Sequence, residues 1–421
     1  MFKDPDIGKP AEQLREERYK RIHTAWTLGV PDRVPINCPM GYFPARYAGI
    51  PFSAAYDDFD AWYGACEKTL EEFRPDTFGA SGYQSGKGLA MLELKTVKWP
   101  GFGVDPYHGH QSIEIDALRA DEFDLYMRDS DDYMLRFKLP RISDRLKGLG
   151  RIPPLYQLLH GPGAAQSLAM VLSEPEVADA VALLQSSGRE MRKAQDKQRK
   201  LQELLQSYGY FPTRMVGALP PFDIVSHSLR GMHGTMLDMF RQPDKLIELC
   251  EFVLKEELEK TPLVPDENGD IRIFMTNTRG CDEYLSGKQF DTFYWPTFKK
   301  LVDSLCERGA MPNIFLEGHF DSRIEYLLDL PKGKFTAGFE ATDVFRAKEI
   351  LRGHCCISGN VPVSLLQAGT KEEVIAYCRR LIDVVGKDGG YILSPRTSVD
   401  EVKPENLKAM IGFTKEYGVY R

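Results

Sequence analysis

The chain has 421 residues, 43% hydrophobic and 27% charged, with a formal net charge of −7. That mixture is ordinary for a folded globular protein, and the acidic balance excludes the basic stripe that nucleic-acid phosphates require. The polar start MFKDPDIGKP has no secretory apolar core, and no run approaches the roughly 18 apolar residues of a membrane span, so neither nucleic acid nor membrane is an expected partner.

Residues 1–31 read as a polar arm and a helix over about 11–28, broken by Gly29 and Pro31. Residues 32–421 read as a single barrel domain. Its first part, 32–150, is irregular and rich in Gly, Pro, Asp and aromatics. It predicts one strand near 77–80, a hairpin around 92–99, and cap insertions over the barrel mouth. PLYQLLHGPG (153–162) reads as a strand and turn. Ser173 and Glu176 have capping-box spacing and open a long helix to about Tyr208. Its basic run, 193–200, reads as a solvated helix face.

A rhythm follows. Strands are expected at 213–219, 271–276, 313–317, 334–340, 355–359 and 391–394. Helices are expected at about 223–241, 243–261, 287–309, from Asp321, at 343–352, from the capping box Thr370/Glu373 to about Val385, and at 404–418. Short apolar strands alternating with amphipathic helices make a parallel sheet, and about eight units close a (β/α)8 barrel. A doubly wound open sheet is the rival, but no GxGxxG, P-loop or GxSxG motif supports it. Eight cysteines without regular spacing suit free thiols in a reducing cytoplasm. Adjacent Cys355 and Cys356 would point to opposite faces of a strand.

Barrel chemistry collects on the loops that follow the strands. NIFLEGHFDS (313–322) puts Glu317 and His319 two residues apart at a strand end, where alternation would turn both to the mouth. Carboxylate plus imidazole suits zinc, with Glu340 at the next strand end as the expected third ligand. Cys356, His227, Asp282 and Thr397 are further candidates for that place. The same pair could instead serve as general acid and base, or be a structural hydrogen bond. His227 and His233, Arg230 as a carboxylate fork, and Asn277, Arg279 and Asp282 after the 271–276 strand are expected around the pocket. His108 and His110 are expected in solvent or cap contacts. The aromatic stretch 39–52, with Tyr42, Phe43 and Arg46, suits either a flat apolar ligand or a packed cap.

These segments carry a resemblance. TLGVPDRVPI (27–36), GPGAAQSLAMVLSEPE (161–176), the LRG-containing segment 221–240, the run 317–374 and the final YILSP…VKPENLKAM (391–410) resemble the uroporphyrinogen decarboxylase superfamily, whose fold is the (β/α)8 barrel. True decarboxylases of that kind carry an arginine-rich N-terminal segment for the substrate carboxylates. Here the corresponding stretch has one arginine, Arg46. Corrinoid-dependent methyltransferases carry His-x-Cys and a later Cys on zinc. Here Glu317-Gly-His319 stands in that place, and Thr397 lies near the later one. The pattern is similar to aromatic O-demethylase methyltransferases. It implies transfer of a methyl-ether methyl group to cob(I)alamin on a separate corrinoid protein, with zinc on Glu317, His319 and Glu340 polarising the leaving oxygen. The resemblance leaves as alternatives a cofactor-free decarboxylase and a methylcobalamin-dependent methyltransferase acting on a thiol or other acceptor. A non-catalytic binding barrel for a corrinoid or aromatic ligand is a further alternative, and a homodimer is compatible with any of these.

Overall fold

The computed structural model describes residues 2–158, 161–211, 215–395 and 397–420. Eight parallel strands form the frame: β1 (Asn37–Gly41), β2 (Thr77–Ala80), β3 (Met215–Gly217), β4 (Ile271–Asn277), β5 (Ala310–Leu316), β6 (Thr336–Phe339), β7 (Cys356–Ser358) and β8 (Tyr391–Ile392). Ladders join β3 to β8 in chain order, and β1 pairs with β2. The two sheets meet where the Asn37 N–H donates to the Leu393 carbonyl and the Leu393 N–H to that of Pro35, each at 2.9 Å. The resulting order, β3 through β8, then β1 and β2, is that of a (β/α)8 barrel. No ladder joins β2 to β3 among the described residues. Phe78 of β2 faces Tyr210, just before β3, across that seam, with ring centroids 5.9 Å apart.

Strand alternation divides inside from outside. On β4, Ile273, Met275 and Asn277 share one buried face, whereas Arg272, which is buried too, shares the lumenal face with Phe274 and Thr276. On β5 the buried members are Ala310, Pro312, Ile314 and Leu316, and Asn313 and Phe315 turn inward. The N-terminal end is closed by helix α1 (Ala11–Trp26), whose Ile22, Ala25 and Trp26 pack on Phe211, Cys356 and Ile392. Helix α2 (Pro175–Ser207) runs along the seam side. No described helix is long and apolar enough to cross a membrane.

The irregular part departs from the sequence reading. Residues 32–150 supply two barrel strands, not one: NCPMG forms β1 although Pro39 lacks an N–H and Gly41 sits at φ 51°. The expected strand at 153–158 is absent. Leu155–Leu158 is a short helix with Leu155 and Tyr156 exposed, and 159–160 lie outside the described residues. An apolar run between Pro and Gly does not distinguish the two states by itself. The hairpin around 92–99 lies further on, where Val97–Pro100 pairs antiparallel with Gln111–Ser112. Ser173 does not cap α2. Its hydroxyl donates to the Met170 carbonyl, and Pro175 opens the helix. The Thr370/Glu373 capping box is present. Of the strand expected at 213–219, residues 213 and 214 lie outside the described ones.

Candidate active site

The polar cluster of the mouth gathers where β3, β4 and β5 end. After β3, Pro221–Asp223 and Ile224–Leu229 form one continuous helical stretch, which places Asp223 and His227 a turn apart on the same face. Asp223 is only 1% exposed. The Tyr294 hydroxyl donates to its Oδ2 at 2.6 Å, and the Arg279 backbone N–H to its Oδ1 at 2.7 Å. Burial pushes this carboxyl up to about 7, and the nearby Glu317 charge adds to the rise. The Tyr294 and Arg279 donors pull the other way without cancelling it.

His227 Nε2 lies 3.8 Å from Asp223 Oδ1. Its Nδ1 lies 3.2 Å from Arg279 Nη2 and 3.5 Å from Glu114 Oε1. Burial holds the imidazole below its ordinary value, against the Glu317 charge, so it is neutral at pH 7. Arg279 can only donate, so its contact with Nδ1 favours the tautomer with its proton on Nε2, toward Asp223. The Arg279 guanidinium also pairs with Glu114 and covers the Tyr284 ring at 4.7 Å.

Glu317 completes the group. Its N–H donates to the Asn277 carbonyl at 3.0 Å, and its Oε2 accepts from Thr278 Oγ1 at 3.1 Å. Below it lie the lumen-facing Phe274 and Phe315. Phe274 is 36% exposed, an aromatic surface left open at the bottom of the mouth. The cap closes one side: Ala117 and Leu118 N–H groups donate to the Leu229 carbonyl at 2.9 and 2.7 Å, and Glu114 accepts from the Met232 N–H at 3.0 Å.

Of the residues expected from sequence, this cluster contains Glu317, His227 and Arg279. His319 lies apart. Gly318 at φ 84° ends the strand alternation, and the His319 ring pairs with half-exposed Glu283. Glu340 accepts the Gly318 N–H at 2.8 Å. Asp282 holds Ser322 and lies 3.3 Å from Arg323, so it braces a turn. Asn277 is on the buried face of β4. Arg230 is spent on Asp116 and Asp238, each at 2.6 Å. His233 and Arg46 are exposed, and Cys356 is buried against α1 at the opposite end of the barrel. Thr397 is exposed, and the exposed His108 side chain lies 3.3 Å from Asp105. Tyr42 stacks on Phe52 and bonds Tyr56 and His110, and Phe43 packs on Phe73, so these aromatics form a packed cap.

Asp223, Glu114 and Tyr294 were not expected. Asp223 had a signal, since it stands one helical turn before His227 directly after a strand. Glu114 and Tyr294 had none, because only the folded chain brings them there. Glu317, His319 and Glu340 do not fit zinc as arranged, since each is engaged with a different neighbour. Among the described residues no group of three or more His, Cys, Asp or Glu side chains could hold a metal ion.

The sequence matches the family model for uroporphyrinogen decarboxylase over residues 204–417. Among solved structures the fold is similar to that of a methyltransferase from Methanosarcina mazei. The two share 11% identity at a TM-score of 0.55, over 96% of this chain and 98% of that one. No curated protein sequence matches the chain.

Proposed function

Because the chain belongs to the uroporphyrinogen decarboxylase family, we propose that it is an enzyme of that family's methyl-transferring kind, moving the methyl group of a methoxylated aromatic to the cob(I)alamin of a separate corrinoid protein. One observation carries the reading. A carboxyl that holds its proton near neutrality, Asp223, stands beside neutral His227 and Glu317, above the open face of Phe274. A mouth with those parts suits a flat ether whose leaving oxygen needs a proton. Phenoxide is a poor leaving group because phenol's pKa is about 10.

The corrinoid would supply the nucleophile for the methyl carbon. The chain's own residues do the rest. Phe274 and Phe315 support the ring. The Asp223 carboxyl, pushed up to about 7, carries the proton; it passes by way of the neighbouring His227 to the ether oxygen as that oxygen's bond to methyl breaks, so a neutral phenol leaves. Arg279 and Tyr294 hold His227 and Asp223 in register.

A polycarboxylate such as a tetrapyrrole is poorly served. The guanidinium groups near the mouth, Arg230, Arg279 and Arg323, are spent on chain carboxylates or carbonyls. The methyltransferase that shares the fold supports the same choice. The reading uses no metal step.

Anaerobic incubation with cob(I)alamin and a panel of methoxybenzenes tests it. Consumption of cob(I)alamin should accompany release of the matching phenol, and His227→Ala should slow it by about 10²–10⁴-fold. Carbon dioxide release without cobalamin dependence would overturn it in favour of decarboxylation.

A further inference from the structure

Arg279 has the makings of a carboxylate site, and the chain itself fills it. The residue is 5% exposed, its Nε has no hydrogen-bond partner among the described residues, and its Nη2 donates to Glu114 Oε1. Nε and Nη2 together form the edge with which a guanidinium grips a carboxylate through two parallel hydrogen bonds. One half of that edge is taken by an acid and the other half is unused.

Glu114 comes from the cap, not from the barrel frame. It follows the cap strand Gln111–Ser112, which is paired to Val97 and Lys98. Just after it, Asp116 accepts from Arg230 at 2.6 Å, and the Ala117 and Leu118 N–H groups donate to the Leu229 carbonyl. The segment is therefore fastened on both sides of Glu114, and Oε2 of the same side chain accepts from the Met232 N–H at 3.0 Å. The Glu114 side chain is 35% exposed against 6% for Arg279, so the acid forms the wet side of the pair.

The acid also borders the proton path. Glu114 Oε1 lies 3.5 Å from His227 Nδ1, so a ring whose ether oxygen is served by that imidazole lies close to the Glu114 charge. A ring carboxylate there meets a like charge and finds Arg279 already paired. An uncharged substituent of the same shape meets neither cost. A glutamate that only fastened the cap would treat the two ligands alike.

We propose that Glu114 is a charge selector for the mouth, disfavouring aromatic ethers that carry a carboxylate over those whose ring substituents are uncharged. It acts through Arg279: it withholds the guanidinium from the ligand, and removing its charge turns Arg279 into a carboxylate-binding residue. The inference rests on the methyl-ether reading of the same site.

Calorimetric titration of the full chain with meta-methoxybenzamide and meta-methoxybenzoate tests it, because the two have nearly the same shape and differ by one charge. Glu114→Gln keeps an oxygen for the Met232 N–H and removes the charge. Its affinity for the benzoate relative to the benzamide should rise about tenfold or more over the parent chain. Glu114→Ala should move the ratio the same way, whereas Glu114→Asp, which keeps the charge, should stay within about threefold of the parent. Each ratio is read within one variant, so a general loss of stability cancels. Adding Arg279→Met to Glu114→Gln should return the ratio toward the parent value. A ratio unmoved in Glu114→Gln and Glu114→Ala, or moved as far in Glu114→Asp, would overturn the proposal and leave Glu114 a fastener of the cap. Binding of neither ligand to any form would overturn it together with the aromatic-ether reading. A moved ratio without methyl transfer to cob(I)alamin would uphold the selector and overturn that reading alone.

Discussion

Asp223 is the residue whose ionisation decides most about the mouth. Its carboxyl is pushed up to about 7 by burial, so a proton present at pH 6 is largely gone at pH 8. If that proton serves the ether oxygen, turnover falls as pH rises through about 7. Asp223→Asn should lower turnover by about 10²-fold or more and abolish that limb; an unchanged limb in the variant would sink the assignment. Linkage gives a second readout. The folded value lies above the ordinary carboxylate value of 3.8, so between about 4 and 7 the native state binds more protons than the unfolded one. This residue's share of stability is therefore complete below 4 and is lost as pH rises through 7. Urea midpoints at pH 5 and pH 8 should differ less in Asp223→Asn than in the parent chain. At this scale the sequence pointed to Glu317 and His227 because each follows a predicted strand. It could not show that His319 turns away, because that depends on the φ of Gly318, nor that Glu114 would arrive from the cap.

Gly318 shows what an element's end can do. It sits at φ 84°, where an added Cβ would meet Cys281 Cβ at 3.1 Å. Gly269 has nearly the same φ, 86°, with nothing within 4 Å. Gly269→Ala should therefore cost about 1 kcal/mol from backbone strain alone, whereas Gly318→Ala should cost more and also reduce turnover, since it displaces Glu317. Equal unfolding midpoints for the two variants would refute this account. Elements with strong local signals matched their expected places: the Thr370/Glu373 capping box opens its helix, and the apolar strands β4 to β8 alternate with helices as their periodicity required. The two exchanged elements had weak or misleading signals. NCPMG carries Pro and Gly yet is held as a strand by neighbours on both sides, while PLYQLL has strand-like apolarity yet lies on the surface. Tertiary context overrode local preference in both.

At the scale of the whole molecule, the described residues leave one seam in the ring, and charge does part of what a ladder would do. Asp76, at the start of β2, is buried and accepts from Arg33 at 2.7 and 2.8 Å, Arg21 at 2.6 Å and the Ile36 N–H at 2.8 Å. Lys415 of the last helix reaches Asp6 of the N-terminal arm at 2.7 Å, and Asp6 lies 3.8 Å from Arg33. One network thus ties the arm, α1, the starts of β1 and β2 and the C-terminal helix together beside the seam. Two guanidinium groups and their fields hold the Asp76 carboxyl well below the usual carboxylate range despite its burial. A depressed folded value contributes stability above about 4 that disappears as pH falls below it, the opposite sign to Asp223. Asp76→Ala leaves two buried arginines without their shared partner and should cost about 3–5 kcal/mol in urea unfolding at pH 7. The deficit should shrink on acidification, because the parent chain loses the same interaction as its carboxyl protonates. A loss under about 1 kcal/mol at pH 7, or one that does not shrink toward pH 3, would show that the seam is held by packing and not by this network.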